Sequence, residues 1–322
     1  MRHFLILFSL LVFVSFAVAA ETAQPFRIGV LPFGTLNWEL GVLQGGALGK
    51  DDAMPVEIVS LANAEAGKIA LLGERVDVIV SDWIWVANQR ERHRDLQFYP
   101  YSTAVGALMV PKDSPIKTVS DLKGRKLGVA GGNLDKNWLL LKAMVAKTAG
   151  FDLEQAATPV FAAPPLLNQQ LQQGRLDAVL NYWNFAARLE AQGFRKLLDG
   201  PAIQQGLGIT TATPALGYVF RQSWATADTA RVSHFFARLQ KARNLICEDP
   251  AVWQQVAKLT GETDPLIQKT LKDGYCAGRV QRFGEVERKA VADIYGLLHR
   301  LGGESVTGQA AILPEGVFWV EP

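Results

Sequence analysis

The sequence has little of what catalytic and metal sites are usually built from. It contains only two cysteines and four histidines among 322 residues. We find no nucleophile with a neighbouring base and no metal-ligand spacing, which argues against an enzyme. The formal net charge is +2, with lysines and arginines spread along the chain, so the basic patch typical of nucleic-acid binding is missing. We expect no catalysis, no cofactor and no nucleic-acid partner.

Long apolar runs are equally scarce. One lies between Phe4 and Phe16, and it is too short to span a membrane. Arg2 and His3 precede it and small residues follow it, which is the pattern of a secretory signal peptide over residues 1–20. Because no cysteine stands just after this segment to carry a lipid anchor, we expect a free periplasmic protein.

The two cysteines, Cys247 and Cys276, leave two interpretations open. In an oxidising compartment they could form a disulfide and close a loop, which would stabilise the fold by on the order of 3 kcal/mol. Alternatively, they could be two buried thiols.

A repeated plan organises the rest of the chain. Residues 73–83 read Gly-Glu-Arg-Val-Asp-Val-Ile-Val-Ser-Asp-Trp, and residues 174–183 read Gly-Arg-Leu-Asp-Ala-Val-Leu-Asn-Tyr-Trp. In each copy a glycine ends a helical run, an aspartate (Asp77 or Asp177) begins an apolar strand, and a tryptophan follows six positions later. We interpret the aspartates as markers of the fold, and the repeat predicts two similar lobes.

Strand and helix patterns alternate in both halves, which indicates doubly wound α/β sheets. Strands are predicted at 26–31, 55–61, 76–80, 119–129, 176–180 and 194–198, helices at 64–72, 138–149 and 164–173, and crossings between lobes at 96–110 and 210–220. From 223 onward the pattern is helical, with helices predicted at 228–244, 250–260, 264–273 and 285–301. Since no strand separates these helices, we expect them to pack on lobe 1.

These segments resemble the periplasmic solute-binding proteins of ABC importers, in the nitrate, taurine and aliphatic-sulfonate branch with the type II fold. The resemblance covers nearly the whole mature chain. It is carried by the signal peptide, by residues 26–30, by the plan at 73–78 and its second copy, and by Ser-Asp-Leu-Lys-Gly-Arg-Lys-Leu-Gly-Val at 120–129.

The resemblance implies an architecture and a function. Lobe 1 would comprise residues 26–106 and 216–322, lobe 2 residues 107–215, and a two-strand hinge would join them. A small solute would bind between the lobes of a monomer, which would deliver it to an ABC permease in the inner membrane.

The resemblance also implies which residues bind the ligand, at the carboxyl ends of strands where doubly wound sheets hold ligands. They are Thr35, Asn37, Trp38, Asp82, Trp83, Trp85, Asn133, Asp135, Asn137, Asn181, Tyr182 and Trp183. The same residues have structural interpretations: the tryptophans could be core aromatics, and the aspartates could cap helices.

The carboxylates and rings at these positions argue against a small naked anion, which is better held by basic side chains and helix N-termini. A small organic nutrient such as an amine, a heterocycle or a sulfonate-like compound is the leading hypothesis. A hard metal cation or its chelate is the alternative, with Glu39, Asp82 and Asp135 as ligands. The chain also faintly resembles binding proteins that accompany periplasmic quinoprotein alcohol oxidation, where lanthanides matter. A ligand-sensing domain and an enzyme similar to thiamine-pyrimidine synthase are further alternatives.

Overall fold

The structure is a computed structural model, and it describes residues 24–32, 34–48 and 54–320. The predicted signal peptide at 1–20 lies outside the described residues. Strands and helices alternate along the first two thirds of the chain, and helices dominate the remainder. None of the helices within the described ranges is long and apolar enough to cross a membrane.

Three groups of elements follow one another along the chain. The first contains β1 (Phe26–Val30), α1 (Leu36–Gln44), β2 (Val56–Ser60), α2 (Ala64–Leu72), β3 (Val78–Ser81), α3 (Trp83–Glu91) and β4 (Leu96–Ser102). The second contains β5 (Gly106–Val110), β6 (Lys126–Ala130), α4 (Lys136–Ala149), α5 (Leu153–Ala156), β7 (Thr158–Ala162), α6 (Pro164–Gln172), β8 (Ala178–Tyr182), α7 (Trp183–Ala191), β9 (Arg195–Asp199) and α8 (Gly200–Gly206). The third contains β10 (Leu216–Arg221), α9 (Gln222–Ala227), α10 (Thr229–Glu248), α11 (Pro250–Ala257), α12 (Pro265–Ala277), α13 (Glu285–Gly302) and α14 (Glu304–Thr307). Short 3-10 helices lie at Val119–Leu122 and Lys258–Thr260, so the strand predicted at 119–129 is wrong in its first half and corresponds only to β6.

The strands form two five-stranded sheets with the same plan. The sheet of lobe 1 has the order β2-β1-β3-β10-β4, and that of lobe 2 has the order β7-β6-β8-β5-β9. In each sheet the first three strands are parallel, and the fourth runs antiparallel to both of its neighbours. That fourth strand, β10 or β5, is the one through which the chain enters from the other lobe. The prediction of two similar doubly wound lobes is confirmed.

The repeated aspartates have the same structural role in both lobes. Asp77 Oδ2 accepts a hydrogen bond of 2.9 Å from the backbone N–H of Arg27, and Asp177 Oδ2 accepts one of 2.8 Å from that of Lys126. Each carboxylate therefore joins the start of one inner strand to the start of its neighbour. The interpretation of these residues as markers of the fold agrees with this geometry.

The glycines of β1 and β6 also occupy matching places. A Cβ on Gly29 would lie 2.7 Å from the Leu61 side chain, and a Cβ on Gly128 would lie 2.7 Å from that of Leu176. At such distances the neighbouring side chain would have to move, so glycine permits the close approach of chain segments to each inner strand. This explains the recurrence of glycine within both strands.

Two segments connect the lobes, as expected for a two-strand hinge. Residues 103–105 link β4 to β5, and residues 207–215 link α8 to β10. The crossing predicted at 96–110 therefore comprises β4 of one sheet, the link at 103–105 and β5 of the other sheet. Gly106 already pairs with Tyr182 in lobe 2, one residue before the predicted boundary.

The C-terminal helices pack on lobe 1, as predicted, and also reach lobe 2. Helix α10 lies against α1 of lobe 1, whereas α12 contacts α7 and α13 contacts α4, both in lobe 2. An ion pair between Arg188 Nε in α7 and Glu262 Oε1, just before α12, adds to the contact between these two helices, with the two atoms 2.6 Å apart. These helices therefore bridge the two lobes.

Cys247 and Cys276 form a disulfide between α10 and α12, with their Cα atoms 5.7 Å apart. Just beyond Cys276, the carbonyl of Gly278 accepts hydrogen bonds from the backbone N–H and the hydroxyl of Thr103, at 2.8 and 3.2 Å. The disulfide therefore fixes the helix end that contacts the first interlobe crossing.

Candidate functional site

Three of the predicted residues come together between the lobes. Asp82 follows β3 of lobe 1, while Asp135 stands just before α4 and Tyr182 ends β8, both in lobe 2. The charge of Asp82 acts on both Asp135 and Tyr182, so groups from opposite lobes lie within electrostatic range of one another. We take the space between these three side chains as the candidate site.

Both carboxylates cap helices and retain a free oxygen. Asp82 Oδ1 accepts a 2.9 Å hydrogen bond from Trp85 N, and Asp135 Oδ1 accepts a 2.8 Å hydrogen bond from Asn137 N. The Oδ2 atoms make no hydrogen bond to any described residue. Helix capping and ligand binding are thus compatible at both positions, because each function uses a different oxygen.

Burial and neighbouring charges tune the groups of the site. Burial raises the pKa of the Asp135 carboxyl; the Lys136 ammonium opposes this rise, and the Asp82 charge contributes to it. Burial also raises the pKa of the Tyr182 phenol, and Asp135 and Asp82 add to the rise. Tyr182 therefore remains a protonated hydroxyl that can donate a hydrogen bond at neutral pH.

Gly131 leaves the space in which Asp135 and Tyr182 approach each other. Its φ is +88°, and a Cβ there would lie 2.4 Å from Asp135 Oδ2 and 2.7 Å from the Tyr182 hydroxyl. The site thus depends on glycine for both its backbone conformation and its free volume.

The residue after each aspartate is bonded to the second crossing. Trp83 Nε1 donates to the carbonyl of Pro214 at 2.9 Å, and Lys136 Nζ donates to the carbonyl of Ala215 at 2.8 Å. The contact of Lys136 with the second crossing could not be predicted from the sequence, because only the tertiary structure brings α4 to residue 215.

The predicted asparagines have different surroundings. Asn133 is exposed on the loop before Asp135. Asn137 is buried, and its Oδ1 has no hydrogen-bond partner among the described residues. The Asn181 side chain is buried and bonded to Pro164 O, Asn168 Oδ1 and its neighbour's backbone N–H. Asn181 therefore has a structural role, which its strand-end position did not reveal.

Trp38 belongs to a core cluster. It is buried, with its ring centroid 5.8 Å from that of Trp253 and 5.2 Å from that of Tyr275. The C-terminal helices cover its ring, so the indole is used in packing, and its contact with a ligand stays a prediction.

The other two predicted residues after β1 are engaged within lobe 1. Asn37 Nδ2 donates to the carbonyl of Leu31 at 2.7 Å, and the Thr35 hydroxyl lies 2.5 Å from that of Tyr101. Both side chains are only partly buried. Their contact with a ligand stays a prediction.

Trp83 and Trp183, the two predicted tryptophans of the repeated motif, have different surroundings. Trp83 is only 2% exposed and packs near Tyr295. Trp183 is half-buried against α12, where a Cβ on Gly274 would lie 3.1 Å from its ring. Both indoles are thus used in packing. The half-buried Trp85, with the Lys68 ammonium 5.6 Å from its ring centroid, stays a predicted contact.

A buried polar cluster around Glu39 was missed by the sequence analysis. Tyr218 and Tyr275 donate hydrogen bonds to the Glu39 carboxylate, the second at 2.6 Å, and Arg243 Nε lies 3.7 Å from it. These partners come from β10, α12 and α10, which are distant from Glu39 in the sequence, so no local pattern predicts the cluster. The cluster joins α1 to the C-terminal helices.

Burial raises the pKa of Glu39 to about 7, although Arg243 and the two tyrosine hydroxyls oppose the rise. Since this folded-state pKa exceeds the ordinary value of 4.5, the protonated form stabilises the fold. That contribution is complete below pH 4.5 and is lost as the pH rises through about 7.

The alternative metal site is corrected at one position. Glu39 was grouped with Asp82 and Asp135, but its carboxylate is taken up by the tyrosines and Arg243. Within 24–32, 34–48 and 54–320, no group of three or more histidine, cysteine, aspartate or glutamate residues is placed to hold a metal ion.

Comparisons with known proteins agree with the architecture. The model of a family described as NMT1/THI5 like matches residues 50–252. The crystal structure of the periplasmic aliphatic sulphonate binding protein SsuA from Escherichia coli is similar with a TM-score of 0.72, over 92% of each chain at 19% sequence identity. This likeness concerns the fold, and it confirms the predicted type II architecture.

Curated relatives match shorter segments. A putative aliphatic sulfonates-binding protein of Escherichia coli (strain K12) is 36% identical over 100 residues, which are 30% of this chain and 30% of that protein. The L-cystine-binding protein TcyJ of the same strain is 29% identical over 117 residues, 35% of this chain and 40% of that protein. The matched segments therefore span less than half the length of these relatives.

Proposed function

The chain belongs to the NMT1/THI5-like family, and we propose that it is the periplasmic substrate-binding component of an ABC-type uptake system. It captures a small solute between its lobes, without turnover, and delivers it to a membrane permease as a monomer. The names of the similar binding proteins and the two-lobed fold support this proposal.

The observation that carries the proposal is the meeting of carboxylates from opposite lobes. Asp82 and Asp135 each keep one oxygen free of hydrogen bonds to described residues, the Tyr182 hydroxyl lies close to Asp135, and the Asp82 charge acts on both of them. A solute bound to both aspartates would join the lobes, because its contacts come from both sides of the hinge. A binding protein that signals its loaded state by lobe closure needs this arrangement.

The charges of the site favour a solute that carries an ammonium group. The Asp135 carboxylate is acted on by the charges of Asp82 and of one lysine, Lys136, whose ammonium is already bonded to the Ala215 carbonyl. A small organic amine would offset the excess negative charge and reduce the repulsion between Asp82 and Asp135. A simple sulfonate would add negative charge there, so we place it behind the amine.

The test begins with the solute that the protein retains. Native mass spectrometry of the protein purified from its own periplasm should show a bound species that carries an amine. Thermal unfolding should then show stabilisation by that species and, in a parallel assay, by ethanolammonium or choline rather than by ethanesulfonate.

Substitutions assign the binding to the site. Asp82→Asn and Asp135→Asn should each weaken binding about tenfold to a hundredfold, the usual effect of losing a hydrogen bond to a charged group. Asp177→Asn is the matched control, since the Asp177 carboxylate lies just before β8, at the opposite end of that strand from Tyr182. Retention of only anionic solutes, with binding insensitive to both site variants, would contradict the proposal.

A further inference from the structure

Two adjacent carbonyl groups in the second crossing are held from opposite lobes. The indole N–H of Trp83, in lobe 1, binds the Pro214 carbonyl at 2.9 Å, and the ammonium of Lys136, in lobe 2, binds the Ala215 carbonyl at 2.8 Å. The N–H of Ala215 donates to the carbonyl of Ser102 at 2.7 Å, beside the first crossing. The Pro214–Ala215 segment is therefore tied to both lobes and to both crossings.

Each donor is the covalent neighbour of a site carboxylate. Trp83 follows Asp82 at the start of α3, and Lys136 follows Asp135 at the start of α4. Both aspartates cap these helices, so neither carboxylate can shift without its helix start. Pro214 and Ala215 are buried, which limits the competition of water for their carbonyls.

We propose that Trp83 and Lys136 are positioning residues, which hold the two helix starts against the Pro214–Ala215 segment and thereby set the spacing of Asp82 and Asp135. This inference rests on the proposed function only in its last step, in which the spacing of the two carboxylates sets the affinity for the solute. Trp83 thus acts on the ligand through its neighbour Asp82, whereas direct contact is what its sequence position predicts.

Spacing matters here because the interaction between two charges varies inversely with their distance. A cation held by both carboxylates loses affinity when either of them retreats. The contribution of Asp82 to the raised pKa of Asp135 must fall at the same time. The pKa of Asp135 therefore measures the spacing of the two carboxylates even without a ligand.

Trp83→Phe is the main test, and Trp138→Phe is its matched control. Trp138 is fully buried, and its Nε1 has no hydrogen-bond partner among the described residues, so this control removes the same atoms without breaking an anchor. Carboxyl NMR titration should show that Trp83→Phe lowers the pKa of Asp135, because the like charge of Asp82 retreats from it, and that Trp138→Phe leaves it unchanged.

Lys136→Met provides a second test, should the buried Trp83 variant fail to fold. Its control is Lys142→Met, since Lys142 lies on the same helix and pairs with Glu154 at 2.5 Å, away from the crossing. Hydrogen exchange in residues 207–216 should accelerate about tenfold in Lys136→Met, the factor expected for a loss of one hydrogen bond, and less than about threefold in the control.

Binding of ethanolammonium links the spacing to function. We expect Trp83→Phe to weaken it about tenfold and Trp138→Phe less than about threefold. The inference is overturned if Asp135 titrates alike in Trp83→Phe and its control, or if exchange in 207–216 is the same in Lys136→Met and its control. Both measurements need no ligand, so failure of every amine to bind would contradict the proposed function alone.

Discussion

The two copies of the repeated aspartate allow a paired test of how burial changes the value of an ion pair. We predict that Asp77→Asn destabilises the protein by about 2 to 3 kcal/mol, the range for charged hydrogen bonds in partly buried surroundings. Asp177→Asn should cost less than about 1 kcal/mol. Sequence position alone would predict equal effects.

The difference arises from the partners. Asp77 is 6% exposed in its side chain and binds Arg27 Nη2 at 2.6 Å, with Arg221 Nη2 at 3.4 Å. Asp177 is 39% exposed and has Arg125 Nη1 at 3.8 Å, in a pair that water screens. An asparagine keeps one oxygen for the backbone N–H in either lobe, but its amide would face two guanidinium groups at position 77.

Urea unfolding measures the effect, because a changed midpoint with an unchanged slope reports stability alone. Alanine at each position is the control. Asp77→Ala and Asp177→Ala also lose the shared bond to the next strand, so the further cost from asparagine to alanine should be similar in both lobes, about 1 kcal/mol. Equal costs for the two asparagine variants would refute the assignment of the difference to burial and to Arg221.

Three further predictions concern the core, the disulfide and the site. As the pH rises from 4.5 to about 7, the free energy of unfolding of Glu39→Gln should increase relative to that of the wild type by on the order of 3 kcal/mol, because ionisation of the buried carboxyl opposes folding of the wild type. Urea unfolding measures this difference, and a difference in midpoints that does not depend on pH would contradict the prediction. Reduction of the Cys247–Cys276 disulfide should lower the free energy of unfolding by about 3 to 4 kcal/mol and accelerate hydrogen exchange at residues 102–104, measured by mass spectrometry. A loss of stability without faster exchange at these residues would show that the disulfide does not support the first crossing. Gly131→Ala should destabilise the fold by about 1 to 3 kcal/mol and abolish amine binding measured by calorimetry, since its Cβ would meet Asp135; unchanged binding would remove Gly131 from the site.

Much of the fold follows from local pattern. The predicted helix at 64–72 matches α2, and the strands predicted at 26–31 and 55–61 match β1 and β2 within one residue at each end. Apolar runs bounded by glycine and polar residues carry enough information for these elements. The stretch at 96–110 was not divided, because β4 and β5 have similar strand propensity and only the sheet partners separate them.

The site was only partly predictable. The placement of Asp82 and Asp135 at helix starts could be predicted, because strand ends and helix starts have recognisable residue patterns. The packing of Trp38 under distant helices and the hydrogen bond from Asn181 to residue 168 could not be predicted, because both depend on tertiary structure. The anchoring role of Lys136 depends on a residue 79 positions away, which no local pattern can reveal.

The C-terminal helices explain why the two copies of the repeated motif have different surroundings. Helix α12 passes over α7 and covers Trp183, whereas the equivalent Trp83 reaches the hinge carbonyl of Pro214. Arg221, at the end of β10, adds a second cation to Asp77, and Asp177 has no such addition among the described residues. The repeat thus builds two nearly equivalent lobes, and the segment after residue 215 makes them unequal. A site assembled from both copies must therefore be asymmetric, which suits the recognition of a solute with chemically different ends.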